Sequence, residues 1–312
     1  MKSGWSLAAL TGAVAVCMIS LPALAPAGSD DETRPNGKGT GTLLNPGNGN
    51  RDAGQAKGKP PGGSTSNGIN YHGGPVMLGP VNLYYIWYGN WSGNAAVQIL
   101  TTFGQNLGNS PYYNINTTYY NGAGTQLSNL INLAGSTTDN YSHGTSLSDS
   151  AILAVVLQAI GNGSLPPDPN GIYLVLTSND VTASSGFCTQ YCGWHTHFAS
   201  SSYGQVKYAF VGDPTRCPSS CQAQTPGPNG NSGADGMASI IAHEVEEAAS
   251  DPELNAWYDT RGYENADKCA WTFGTTYTSG GAQANMNLGG LDFLIQRNWV
   301  NAAGGYCALK YP

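Results

Sequence analysis

Six cysteines, Cys188, Cys192, Cys217, Cys221, Cys269 and Cys307, fall in the C-terminal half of the chain, and what they can do depends on where the chain is sent. The N-terminus addresses that. Lys2 supplies a positive start, Leu7 to Leu21 is an apolar run broken only by small or weakly polar residues, and Ala23-Leu24-Ala25 is an A-x-A cleavage site. The pattern predicts a signal peptide over residues 1–25 and a secreted, extracellular product. The run is shorter than the roughly 20 apolar residues that span a bilayer, and Pro22 and Pro26 follow it, so no membrane anchor is expected after cleavage. The seventh cysteine, Cys17, leaves with the signal. An even count in an oxidising compartment reads as three disulfides. Spacing favours Cys188 with Cys192, Cys217 with Cys221, and Cys269 with Cys307. The competing reading is a zinc cluster built from the two C-x3-C pairs and the nearby His195 and His197.

Residues 26–70 are Gly, Pro, Asn, Lys and Ser with almost no branched or aromatic side chains. Such a composition cannot offset the entropy of ordering its backbone, and a flexible linker is expected. Residues 71–312 are long enough for one domain with a shared core. Charged residues make up only 10% of the chain and the net charge is -7. Twelve Lys plus Arg provide no basic stripe, which excludes nucleic acid as a partner.

Val81 to Tyr88 (VNLYYIWY) is rich in branched and aromatic residues and ends at Gly89, the signature of a strand. Ala95 to Leu107 carries apolar residues at helical spacing and stops at Gly108-Asn109. Tyr112 to Tyr120 is expected to be extended, Ser150 to Ile160 helical, and Ile172 to Leu176 and Gln205 to Val211 strands. Gly236 to Ser250 should form the last helix, capped by Asp235 and ended by Asp251-Pro252. The order describes an α/β (α+β) domain, a mixed sheet with packed helices.

Acidic residues are concentrated: Glu244, Glu246, Glu247, Asp251, Glu253, Asp259, Glu264 and Asp267 are eight of the chain's 19, and they lie beside His243, one of five histidines. His243 and Glu247 are four apart on the predicted helix, so both project from one face and can share a metal ion. Glu244 occupies the place from which the H-E-x-x-H glutamate polarises a metal-bound water. The motif here is H-E-x-x-E. A third ligand is expected from Glu264-Asn265-Ala266-Asp267, with Glu264 favoured over Asp267, leaving an open position as in catalytic zinc sites. A carboxylate in place of imidazole shifts preference toward harder ions, so zinc is the first expectation, with calcium or manganese behind it. Asp251 is read as structural because it sits where Pro252 ends the helix. His195 and His197 alternate along a C-G-W-H-T-H run and can face one side of a strand, either as ordinary hydrogen-bonded histidines or as residues that line a cleft or supply a ligand. No serine sits in a G-x-S-x-G elbow, and the Gly-rich stretches lack the strand-and-helix context of phosphate loops.

Taken together, Tyr71-His72-Gly73-Gly74-Pro75-Val76, Trp87-Tyr88-Gly89, Ser110-Pro111-Tyr112-Tyr113, Gly186-Phe187-Cys188 with Cys192-Gly193, Cys217-Pro218 with Cys221, and His243-Glu244 through Asp251-Pro252, Trp257-Tyr258, Glu264, Asp267 and Cys269 resemble the EXORDIUM or phosphate-induced protein 1 family of secreted proteins. The resemblance spans the domain in order. It implies an extracellular protein of growth or cell-wall responses and a zincin-like, metallopeptidase-like fold, but no established reaction. The leading expectation is a metal-dependent peptidase acting on an extracellular peptide or protein. The ion would be held by His243, Glu247 and Glu264 or Asp267, with Glu244 as general base. The alternative is a non-enzymatic signalling protein or binder of wall polysaccharide that keeps the same fold.

Overall fold

The structure is a computed structural model that describes residues 1–2, 33–38 and 68–312. The expected signal peptide lies outside the described residues apart from its first two. Of the expected linker, 33–38 and 68–70 are described. No helix among the described residues is long and apolar enough to cross a membrane.

A five-stranded sheet organises the domain. Its strands are β1 (Val81–Tyr88), β2 (Ile131–Asp139), β3 (Gly171–Thr177), β4 (Gly193–Ser200) and β5 (Gly204–Gly212), in the spatial order β2-β1-β3-β5-β4. The first four strands of that order run parallel, and β4 closes one edge antiparallel to β5. All seven residues of β3 are buried, as a central parallel strand covered on both faces requires. Helix α1 (Ala96–Asn106) connects β1 to β2 and α2 (Asp149–Gly161) connects β2 to β3. These crossovers move in opposite directions along the sheet. The right-handed rule for such connections therefore puts α1 and α2 on opposite faces. Helix α3 (Ser232–Ser250) shares the face of α1, packing against it and against β4 and β5. The arrangement is a mixed α/β domain, as expected.

Local expectations failed where polar chemistry outweighed apolar pattern. Tyr113–Thr118 is a 3-10 helix, not an extended segment: the Ser110 hydroxyl accepts the Tyr113 N–H at 3.0 Å, starting a turn that tucks Tyr112, Tyr113 and Ile115 into the core. Helix α3 begins a turn earlier than Gly236. Asn231 caps it, its side chain accepting from Ala234 N–H at 3.0 Å, while Asp235 turns to the Asn229 side chain. An acidic residue in a helix's first turn suits the dipole, so Asp235 need not be the cap.

Three disulfides are present, but two are paired differently from expectation: Cys188–Cys217, Cys192–Cys221 and Cys269–Cys307. The bridges run between the two C-x3-C segments rather than within them, with Cα–Cα separations of 5.7 and 5.5 Å, within the range disulfides need. With all four sulfurs bonded, the alternative zinc cluster has no thiolate. Cys192–Cys221 ties down the start of β4, and Cys269–Cys307 ties down the segment after Asp267. Both flank the site described next.

Candidate metal centre

Helix α3 is buried along nearly its whole length, including His243, Glu244, Glu246 and Glu247. A helix that is polar on a buried face must find partners for those groups. His243 and Glu247 do so on one face: Nε2 of His243 lies 3.1 Å from Oε1 of Glu247. The loop after the helix returns beneath them because Asp251 holds it, its Oδ1 accepting the N–H groups of Asn255 and Ala256 at 2.6 Å each. Asn265 then clips the loop back to the helix, donating to the Glu246 carbonyl and the Ser250 hydroxyl.

This return brings both predicted carboxylates to the helix, each to a different partner. Asp267 Oδ1 lies 3.5 Å from His243 Nε2, and the Asp267 N–H donates to Glu247 Oε1 at 3.0 Å. Glu264 instead faces His195, its two carboxyl oxygens 3.2 and 3.3 Å from the imidazole Nε2. Glu247 stands between the two groups, for its Oε2 lies 3.6 Å from the same His195 nitrogen. The site therefore contains two triads, His243-Glu247-Asp267 and His195-Glu247-Glu264, sharing Glu247, and every member is buried.

The electrostatics are lopsided. Among the described residues, the ion pairs made by Glu247, Glu264 and Asp267 are all with histidine, and no lysine or arginine takes part. Burial alone would lower the His243 imidazole, but the Glu247 and Asp267 carboxylates outweigh it and hold it well above its ordinary value. His195 goes the other way, pushed down to about 4 by burial against the pull of Glu247. Burial, reinforced by Glu247, raises Glu264 well above the usual carboxylate range. The Glu264 carboxyl and the His195 imidazole lie within hydrogen-bonding distance of each other, both buried. Glu244 is likewise raised, by burial first. Asp267 Oδ1 is buried and has no hydrogen-bond donor.

Glu244 lies in a cleft lined by Gly193, Ile240, His243, Trp271 and Gln296. A Cβ at Gly193 would lie 2.8 Å from Oε1 of Glu244 and 2.5 Å from the Ile240 side chain, so the first residue of β4 must be glycine for strand and helix to approach here. Next to the cleft, a pocket with Phe273 and Leu294 shares Ile240, Trp271 and Gln296 with it. The other histidines stand apart. His72 stacks on Tyr258 with ring centres 3.7 Å apart, His197 meets Gln205, and His143 is exposed. The place of His195 was only half visible in the sequence: the C-G-W-H alternation allowed a cleft-lining or ligand role, but nothing local announced a partner 69 residues away.

Comparison with known proteins matches this sequence to one family. The sequence profile described as the phosphate-induced protein 1 conserved region matches residues 69–287, from the strand before β1 to beyond the site. Protein EXORDIUM-like 5 of Arabidopsis thaliana is 34% identical over 273 residues, covering 74% of this chain and 75% of that protein. Protein EXORDIUM-like 3 of the same plant is 33% identical, covering 77% and 82%. Protein PHOSPHATE-INDUCED 1 of Nicotiana tabacum is 27% identical, covering 61% and 67%. No solved structure matches. The chain belongs to the phosphate-induced protein 1 family, with EXORDIUM-like proteins among its relatives.

Proposed function

We propose that this chain is a secreted, zincin-like, metal-dependent peptidase whose cation is held by His243, Glu247 and Asp267. The observation that carries the reading is the geometry around His243 Nε2, with one carboxylate oxygen at 3.1 Å and a second, buried and without a donor, at 3.5 Å. Ligand atoms about 2.0–2.2 Å from one zinc ion in tetrahedral array lie about 3.3–3.6 Å from one another. The spacing and the orphaned oxygen both fit a cation, and so does the excess of buried carboxylates over cationic groups, which a bound cation would neutralise. Zinc suits the mixed nitrogen and oxygen donors; calcium or manganese is the harder alternative.

When bound, such an ion polarises a substrate carbonyl and makes attacking water more acidic. The rest falls to side chains of the chain itself. Glu244, one residue from His243 and facing the cleft, accepts the proton of the attacking water and returns it to the leaving amine. The hydrogen-bonded His195–Glu264 pair backs Glu247 on its far side and fixes its carboxylate, as outer partners commonly do for metal ligands. The neighbouring pocket with Phe273 and Leu294 suits an apolar side chain of the substrate. The three disulfides fit an oxidising, extracellular compartment.

The test is cleavage of a peptide mixture by the zinc-loaded full chain, read by mass spectrometry. Glu244→Gln should keep the ion and lose hydrolysis by about 10²–10⁴-fold. A loaded chain that cleaves no faster than Glu244→Gln contradicts the reading. A second reading, binding of wall polysaccharide without catalysis, draws on a surface groove where Tyr306 and Tyr311 lie with Asn109, Asn114 and Asn129. Aromatic faces among amides suit sugar rings. Retention on an insoluble glucan that is lost in Tyr306→Ala would favour it.

A further inference from the structure

Six residues from the N-terminal stretch, Thr33 to Lys38, lie across the outer edge of β4, beside the metal centre. His195 connects the two. Its imidazole faces Glu247 and Glu264, while its backbone N–H points away from the sheet and donates to the Gly37 carbonyl at 3.1 Å. Gly37 has a φ of 70°, and any side chain there would collide with the His195 carbonyl oxygen, so this approach requires glycine. Upstream, the Thr33 N–H donates to the Thr260 carbonyl at 3.1 Å and Pro35 is buried. Downstream, the Lys38 ammonium pairs with Asp149 and lies 5.2 Å from the ring centre of Trp194 and 5.4 Å from that of Tyr191.

The receiving side is built for this. Asp149 is steadied by the Ser185 hydroxyl, which donates to its Oδ1, and Ser185 in turn meets the Tyr191 hydroxyl. An acid beside two aromatic rings makes a site for a primary ammonium, which gains both charge pairing and cation–π attraction. A backbone hydrogen bond at a sheet edge together with a side-chain pocket supplies both affinity and side-chain selectivity for a peptide.

We propose that the outer edge of β4 and the Asp149–Tyr191–Trp194 pocket form the recognition surface for a peptide that turns at a glycine followed by lysine, and that Thr33–Lys38 is a tethered occupant which an incoming peptide displaces. The segment is covalently joined to the domain through residues 39–67, so it competes intramolecularly and has a standing advantage over any free peptide of the same sequence. The description of that peptide as a substrate rests on the peptidase reading; the surface and its occupant do not.

The experiment uses the full chain and two substitutions. Gly37→Val drives the segment off β4, and Asp149→Asn weakens the lysine pocket. The probe is a fluorescent peptide, Thr-Arg-Pro-Asn-Gly-Lys, followed by anisotropy, with backbone hydrogen exchange at His195 as the second readout. Gly37→Val should bind the peptide about tenfold or more tighter than the unsubstituted chain. It should also speed exchange at the His195 amide by a similar factor, and adding Asp149→Asn should abolish the gain in binding. Equal His195 exchange in both chains, or a gain that survives Asp149→Asn, overturns the proposal. Neither readout needs metal or turnover. A chain that binds no metal yet shows both effects retains this surface and loses the peptidase reading, whereas a metal-loaded, hydrolysing chain without them does the opposite.

Discussion

Oε1 of Glu247 lies 3.1 Å from Nε2 of His243, one helical turn earlier on the same face of α3. Glu264 does not reach that nitrogen; it meets His195 on the other side of Glu247. The two glutamates should therefore respond differently to loss of charge. Glu247→Gln removes a ligand and should abolish zinc binding at micromolar concentration. Glu264→Gln removes an outer support and should weaken binding by about 10–100-fold. A competition titration against a chromophoric chelator separates these outcomes. Equal losses would make Glu264 a ligand too.

Gly193 sets how closely β4 approaches Glu244. In Gly193→Ala the new methyl meets Ile240 and the Glu244 carboxyl, which should cost about 1–3 kcal/mol of stability. Displacement of the general base should lower hydrolysis by about 10²-fold. Metal content should be unchanged, because His243, Glu247 and Asp267 are not touched. Denaturant unfolding, turnover and metal analysis on the same preparation check the three parts.

Asp251 makes a pH prediction. Burial, against two backbone N–H groups that favour its charge, pushes its carboxyl up to about 7. Its unfolded value is about 3.9, so the native state holds a proton that the unfolded chain has released. Stability is then highest below about pH 4 and falls as pH rises toward 7, by at most on the order of 4 kcal/mol from this group. Asp251→Asn can keep the acceptor for Asn255 and Ala256 while removing the ionisation. In metal-stripped chain it should flatten the stability profile between pH 4 and 7. An unchanged slope would refute this assignment.

The bridge Cys269–Cys307 closes a loop across 38 residues just beyond Asp267. Replacing both cysteines by alanine should cost about 3–4 kcal/mol and lower Tm by roughly 10 °C. Zinc affinity should fall with it, since Asp267 loses its anchor. Calorimetry with and without zinc tests both statements.

Much of the site was legible because its residues are chemically expensive to bury. H-E-x-x-E stood out on α3, and the Glu264–Asp267 segment stood out as the source of more carboxylates. Strand β1 was legible through its aromatic and branched run. Strand β2 was not: INLAGSTTD lies at the sheet edge with alternate residues exposed, so it carries little apolar signal. The 3-10 turn after Ser110 was hidden by its β-branched and aromatic residues, whose burial is local rather than in the sheet. Disulfide pairing depends on which segments meet in space, and short sequence separation was a poor guide to it. His195 and Thr33–Lys38 became meaningful only once β4 was placed at the edge, beside α3.

The central claim is that His243, Glu247 and Asp267 hold a cation, and metal content tests it most directly. Full chain dialysed against zinc and then metal-free buffer should retain about one equivalent by plasma mass spectrometry, falling below about a tenth of that in His243→Ala. Calcium or manganese in place of zinc would change the identity of the ion and keep the site. Less than a tenth of an equivalent of any divalent metal in the unsubstituted chain, or the same content in His243→Ala, would contradict the account.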